Sequence, residues 1–466
     1  MVLRLTVILA VLAMGGALAP LAQAGEPARG PLQVHPDNPR YFTDGTGRAI
    51  YLTGSHTWMD FKDLGPGPPP PKFDYADYLD RMRRYNHNFI RLWTWELSRY
   101  SYAGTKDNPH YAQPFPWQRT GPSKALDGGL RFDLTKFDQA YFDRLRERIV
   151  QARDRGIYVS VMLFEGHGMQ FSEPPWCWDS HPFHAKNNIN GIDGNPNGDA
   201  RGTEVHTLAV PEVTRIQESY VRKVIDTVND LDNVLYEISN ETGDYSTEWQ
   251  YHMIRFVKQV EKDKPKQHPV GMTFQYKGGR NKTLLDSPAD WISPNSSGGY
   301  RDNPPAADGR KVIISDTDHL WGHGGNRDWV WKSFLRGLNP IYMDDYLNWF
   351  TKESPVKDEI RKAMGHTLLY ARRMDLAKMT PQNELASTAY CLAAPGSEYL
   401  VYQPAGGPLT VTLPEQSKRG SVEWFDVAKG EVAGQETVTA GDKREFEPPA
   451  KGAMVLYMKA LDRATD

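Results

Sequence analysis

Apolar residues fall in short runs separated by longer stretches in which they return every three or four positions. The short runs are Ile50–Gly54, Asn88–Trp93, Ile157–Phe164, Val234–Glu241, Val270–Phe274, Asp290–Ser293, Lys311–Ser315 and Pro340–Met343. Bounded by polar and Gly/Pro residues, they read as buried strands. Between them, Tyr75–Tyr85, Pro211–Asn229, Thr247–Lys262, Asp328–Leu338 and Asp358–Met374 read as helices. Phe137, Tyr141, Leu145 and Ile149 mark a further helix, closed by Gly156. Arg40–Gly54 suggests a hairpin turning at Asp44-Gly45 and Thr46-Gly47.

Eight strands alternating with helices over about 340 residues match a (β/α)8 barrel. An open doubly wound sheet fits less well, because no glycine-rich phosphate turn follows the first strand. The loops after strands two and three are long, and their length favours a walled site and exo action. After Met379 the pattern changes to short β-type runs divided by turns such as Gly406-Gly407-Pro408. That is the signature of a small all-β sandwich. The predicted division is 1–24 leader, 25–379 barrel, 380–466 sandwich.

Composition narrows the function. The 466 residues carry a net charge of −3, which gives no reason to expect binding to nucleic acid or acidic lipid. Met1–Ala24 has the charged start (Arg4), apolar middle and Ala22-Gln23-Ala24 end of a secretory signal. The expected location is therefore secreted or periplasmic, with no membrane anchor in the mature chain. The two cysteines, Cys177 and Cys391, lie in different predicted domains and read as independent thiols.

The chemistry gathers at strand ends, where barrel enzymes keep their sites. Strand four ends in Asn240-Glu241, strand three in Glu165-Gly166-His167, and strand seven in Asp316-Thr317-Asp318-His319. A partly buried Glu can hold a proton for a leaving group. Asp316 and Asp318 are two apart and could share a face. Trp58, Trp93, Trp95, Trp176, Trp178 and Trp321 sit near strand ends or in long loops, and aromatic faces stack on sugar rings. His56, His167, His319, Glu165 and Tyr276 are further candidates for contact with substrate, and Tyr300 is a second hydroxyl candidate. Glu237 should face the helix layer or an ion pair. Asp193 to Glu204 has calcium-loop spacing, but Pro196 interrupts it and no EF-hand helices flank it. An Asn/Asp/Gly turn cluster is the preferred reading; structural Ca2+ remains possible, with no metal in the active site and no cofactor required.

These strand ends resemble the retaining (β/α)8 glycoside hydrolases of the cellulase and β-galactosidase clan. The resemblance implies Glu241 as acid/base, Asn240 as partner of a sugar hydroxyl, Arg91 of Phe-Ile-Arg-Leu-Trp as support, and a nucleophile at the end of strand seven. The segment Tyr41–Trp58 is similar to a cellulase-like bacterial family that includes apiosidases. Ala389–Lys459 resembles the β-sandwich, labelled collagen-binding, that follows the barrel there. The clan's nucleophile is a Glu, whereas this chain offers Asp318 or Asp316. Alignment with the related Asp-Gly-Glu-Pro favours Asp318. The resulting expectation is a glycosidase acting on a poly- or oligosaccharide. The rival is a catalytically inactive barrel that binds glycan. A peptide hydrolase is disfavoured, since neither His-Glu-x-x-His nor Gly-x-Ser-x-Gly occurs.

Overall fold

A computed structural model describes residues 26–100, 109–170, 176–349, 351–413, 419–439 and 443–461. The predicted leader lies outside the described residues. Eight parallel strands form one sheet: β1 Gly54–His56, β2 Phe89–Leu92, β3 Tyr158–Glu165, β4 Val234–Asn240, β5 Val270–Thr273, β6 Trp291–Ser293, β7 Val312–Asp316 and β8 Asn339–Met343. Their spatial order runs from β2 through β8 to β1. This is the (β/α)8 barrel that the alternation predicts.

Seven of the α-helices pack around them, α1 Tyr75–Arg84, α2 Gln139–Arg153, α3 Pro211–Val228, α4 Thr247–Glu261, α5 Asn281–Asp286, α6 Arg327–Leu335 and α7 Pro355–Arg373, and a further short helix, Trp176–Asp179, lies in the connection after β3. Several begin where a side chain caps a free N–H: Asp74 for α1, Asp138 for α2, Asn326 for α6 and Ser354 for α7. No helix of the described residues is long and apolar enough to cross a membrane.

The seam between β1 and β2 is closed partly by side chains. Thr53 N–H donates to Asn88 Oδ1 at 2.9 Å, and Asn88 N–H donates to Thr53 O at 3.0 Å. Leu52 N–H donates to Asn339 Oδ1. These amides take the places of ladder partners, so β1 starts at Gly54 and not at Ile50. Gly54 is needed there: a Cβ on it would stand 2.2 Å from Phe89 O. The hairpin expected over Arg40–Gly54 shrinks to the bridge Phe42–Ile50 and a short pairing of Phe42–Thr43 with Gln33–Val34.

The connection after β2 is not a plain loop. It holds an antiparallel hairpin, Trp117–Lys124 with Leu130–Phe137. It also holds strand His110–Gln113, which pairs on one side with Arg99–Tyr100 and on the other with Asp63–Pro66 from the loop after β1. Weak apolar alternation hides these strands in the sequence.

The C-terminal strands are β9 Thr380–Pro381, β10 Cys391–Ala394, β11 Glu398–Gln403, β12 Leu409–Thr412, β13 Arg419–Asp426, β14 Glu431–Thr439, β15 Lys443–Phe446 and β16 Met454–Ala460. Six make one sheet in the order β9-β10-β11-β16-β13-β14, with β12 and β15 paired separately. One face, with Val401, Val422, Trp424, Leu456 and Met458, packs on Leu409, Val411 and Phe446 in the sandwich core. The alternate residues Leu400, Tyr402, Phe425, Val455 and Tyr457 belong to the core that the barrel itself builds. Glu423 fixes this junction. It accepts from Tyr370 Oη at 2.9 Å and from both Arg373 terminal nitrogens at 2.7 and 3.1 Å. Cys177 and Cys391 are buried and form no disulfide with each other, as expected from their separate domains.

Candidate active site

The centre of the site is Arg91, fully buried on β2. Its guanidinium forks onto Glu237 of β4 at 2.9 and 2.5 Å. Its other branches reach Asp316 Oδ2 at 2.8 Å, Asp318 Oδ2 at 3.3 Å and Asn240 Oδ1 at 2.6 Å. One rigid cation thus ties the ends of β2, β4 and β7 together. Glu237 makes the ion pair allowed for it, inside the barrel and not toward the helices.

The two aspartates of strand seven separate clearly. Asp316 ends β7 and is fully buried. Besides Arg91, it meets His56 Nε2 at 2.8 and 3.0 Å and accepts the Asp318 backbone N–H at 2.9 Å. Burial opposes its charge, but His56 and Arg91 outweigh burial and hold its carboxyl below the usual range. Asp318 stands in the following turn, its side chain 6% exposed. Burial first, and then the charge of Asp316, push its carboxyl up to about 6.

Glu241 follows the last residue of β4 with φ of +47°. A non-glycine residue in the left-handed region stores strain of order 1 kcal/mol or more. Its backbone carbonyl is gripped by Gln170 Nε2 at 2.5 Å. Its carboxyl is raised well above the ordinary range by burial, then by the charges of Asp318 and Glu165.

The rest of the expected site divides into two layers. Trp58, His167 and Tyr276 are partly exposed at the mouth. Trp58 packs against Trp93, Trp95 and Tyr100 with ring centres 5.6–6.1 Å apart. His167 contacts Tyr276 at 5.0 Å, and its Nδ1 lies 3.0 Å from Tyr100 Oη. His56, Arg91, Trp93, Glu165, Asn240 and His319 are buried behind that surface. Within this layer His56 Nδ1, Trp93 Nε1, Glu165 Oε2 and Asn240 Nδ2 have no hydrogen-bond partner. His319 sits between Ser293 Oγ at 2.8 Å and Asn240 Oδ1 at 3.2 Å. Burial drives its pKa down to about 3, so it is neutral.

Trp321 turns elsewhere. It lines a groove of about 400 Å³ with Arg301, Asn326, Arg327 and Glu359, and none of the acidic site residues borders that groove. The Tyr300 backbone carbonyl accepts from Trp329 Nε1–H at 2.9 Å. Trp178 packs its loop against His181, and the Trp176 side chain lies outside the described residues.

Sequence reasoning passed over Glu96, three residues beyond Trp93. Glu96 Oε2 accepts from the Glu165 backbone N–H at 3.1 Å and pairs with His206 Nε2 at 2.7 Å. His181 Nε2 stands 3.6 Å from its other oxygen. Burial opposes ionisation, but His206 and His181 hold Glu96 down to about 2. A carboxylate directly after an aromatic strand end was the available signal; its histidine partners, about 85 to 110 positions on, were not.

The Asp193–Glu204 loop spends its oxygens on its own turns. Asp193 Oδ1 accepts from Asn195 N–H, Asn197 Oδ1 from Asp199 N–H, and Asp199 Oδ1 from Arg201 N–H. Among the described residues, no group of three or more His, Cys, Asp or Glu side chains is placed to hold a metal ion.

Comparison with known proteins agrees with this architecture. Residues 74–283 match a family described as a "Domain of unknown function (DUF6298)". Residues 378–456 match the "Putative collagen-binding domain of a collagenase", in line with the C-terminal resemblance. Among solved structures, a glycoside hydrolase family 5 protein from Bacteroides vulgatus is similar over 92% of this chain and 93% of its own, with 13% identity and a TM-score of 0.59. A "putative glycoside hydrolase" from the same organism aligns over 94% and 84%, with 15% identity and a TM-score of 0.61. A third, titled glycoside hydrolase, aligns over 94% and 98%, with 14% identity and a TM-score of 0.57. At such identities the likeness is one of fold. No curated protein matches the chain.

Proposed function

We propose that the protein is a secreted glycoside hydrolase in which Glu241 is the acid/base and Asp318 the nucleophile. The carrying observation is the division of labour among the three acids. Asp316 is saturated by Arg91, His56 and a backbone N–H, whereas Asp318 meets Arg91 only at 3.3 Å and its charge adds to burial in raising the carboxyl of Glu241. Such a pair gives up its protons in two separated steps. Near neutral pH, Asp318 is ionised and Glu241 holds its proton.

In the first step an Asp318 oxygen bonds to the anomeric carbon, the glycosidic C–O bond breaks, and the Glu241 proton passes to the departing oxygen. In the second step water attacks that carbon, Glu241 takes the water's proton, and Asp318 leaves as carboxylate. The product keeps the anomeric configuration of the substrate.

The resemblance of Tyr41–Trp58 supports a place near the apiosidase-containing family. The contacts of His181 and His206, from the loop after β3, with Glu96, from the loop after β2, support a walled pocket and exo action. The Met1–Ala24 pattern supports export, with a mature chain starting at Gly25.

The test is release of reducing ends from a panel of plant and bacterial glycans by the mature protein and by Glu241→Gln, with product anomers followed by NMR. Activity lost in the variant, with retention of configuration, is the expected result. Undiminished activity in the variant removes Glu241 from the mechanism. Inversion makes Asp318 a base activating water. Binding without any turnover makes the barrel a glycan-binding protein.

A further inference from the structure

Six carboxyls lie at or beneath the mouth: Glu96, Glu165, Glu237, Glu241, Asp316 and Asp318. Among the described contacts, one permanent cation, Arg91, bonds to any of them, and it serves Glu237, Asp316 and Asp318. Glu96 is provided for by His206, His181 and a backbone N–H. Buried charges without such partners are expensive, so the remaining carboxyls keep their protons.

Glu165 is the remaining carboxyl without an assigned task. It ends β3 in register with Asn240, the residue before Glu241, and Gly166 N–H donates to Asn240 O at 3.0 Å. The side chain is fully enclosed. Oε1 accepts the His167 backbone N–H at 2.8 Å, while Oε2 is buried with no partner. Ionisable groups whose charges bear on it include Glu96, Glu241, Asp318, Tyr100 and Tyr245. All five are acids, so each disfavours its ionisation or is disfavoured by it.

We propose that Glu165 is a positioning residue that acts through Glu241: a third carboxyl beside the catalytic pair that keeps the proton on the acid and so extends the alkaline end of the working range. The proposal rests on the glycosidase reading. Burial, then the charge of Glu96, lift Glu165 to about 8. Below that pH it is neutral and leaves Glu241 alone. Above it, the growing charge on Glu165 makes loss of the Glu241 proton harder. The two therefore titrate as a pair, and the pair has a higher upper limit than Glu241 would have alone.

The test compares wild type with Glu165→Gln, which keeps the shape and the acceptor for His167 N–H. In Glu165→Gln the alkaline limb of kcat/KM moves down by about one pH unit, and the acid limb stays. Glu96→Gln moves the alkaline limb the other way, because Glu165 then ionises earlier. A second readout needs no substrate: the Glu241 carboxyl of 13C-labelled protein, assigned with Glu241→Gln, titrates lower in Glu165→Gln by NMR. Packing loss alone gives no shifts of opposite sign. An unmoved Glu241 titration in folded Glu165→Gln overturns the proposal whatever the activity. A shifted titration in a protein that cleaves no glycan retains the coupling but removes its hydrolytic role, and the failure then belongs to the glycosidase reading.

Discussion

The backbone N–H of Asp318 donates to Asp316 Oδ1 at 2.9 Å. The first aspartate is thereby spent on holding the second. Asp318→Asn is expected to lower kcat by about a thousandfold or more with stability unchanged or raised, since it removes a buried charge with few donors. Asp316→Asn is expected to destabilise the fold by about 3–5 kcal/mol, because Arg91 and His56 lose a buried partner. Thermal or denaturant unfolding beside initial rates checks both. The reverse pattern would exchange the two roles.

The rate should show a bell-shaped dependence on pH. In the proposed mechanism Asp318 must be ionised, and its carboxyl is pushed up to about 6. Activity therefore falls as pH drops through about 6, higher than an ordinary aspartate allows. It falls again at alkaline pH as Glu241, whose pKa is raised, loses its proton. A kcat/KM profile flat from pH 4 to 7 would contradict the assignment of Asp318.

Stability should carry the opposite imprint of Glu165. Its folded value of about 8 exceeds the ordinary glutamate value, so the native state binds the proton more tightly than the unfolded chain. Its contribution is present at low pH and lost as pH rises through about 8. Glu165→Gln escapes that loss. Its stability relative to wild type should rise between pH 5 and pH 8 by an amount on the order of a few kcal/mol, measured by urea unfolding at each pH. A constant difference would show that Glu165 ionises equally in both states.

At the seam, Gly54→Ala would drive a methyl group onto Phe89 O, whose position the β-sheet fixes. A loss of about 3 kcal/mol or more is expected, with failure to accumulate folded protein as the stronger outcome. Gly45→Ala serves as control. It has open space, and its left-handed φ of +86° should cost about 1 kcal/mol.

At the domain junction, Glu423→Ala should cost about 1–3 kcal/mol, since it strands Arg373 and the Tyr370 hydroxyl at a half-buried site. One cooperative unfolding transition for the whole chain is expected in calorimetry. Two separate transitions would mean that the shared core is weak.

The barrel was legible because most of the buried strands are short, largely apolar runs bounded by polar or Gly/Pro residues and the long helices between them carry an apolar face. Glu241 was legible because Asn-Glu closes such a run. The choice between Asp316 and Asp318 was not, because spacing puts both on one face while the hydrogen bonds that separate them come from His56 and Arg91, more than 200 positions away. Glu96 was missed for the same reason: its histidines belong to another loop. The start of β1 was misplaced because Asn88 and Asn339 side chains stand in for strand partners, and a hydrophobic pattern carries no trace of that substitution.

The sheet of the C-terminal domain is apolar on both faces, and one of those faces completes the barrel's core. Such a module cannot be exchanged as a cassette. A chain engineered or inherited without residues beyond Met379 would present Trp331, Tyr370 and their neighbours to water. Conversely, a polymer held by the sandwich would be offered to the catalytic mouth at one fixed reach and angle, like work clamped on the same bench as the tool.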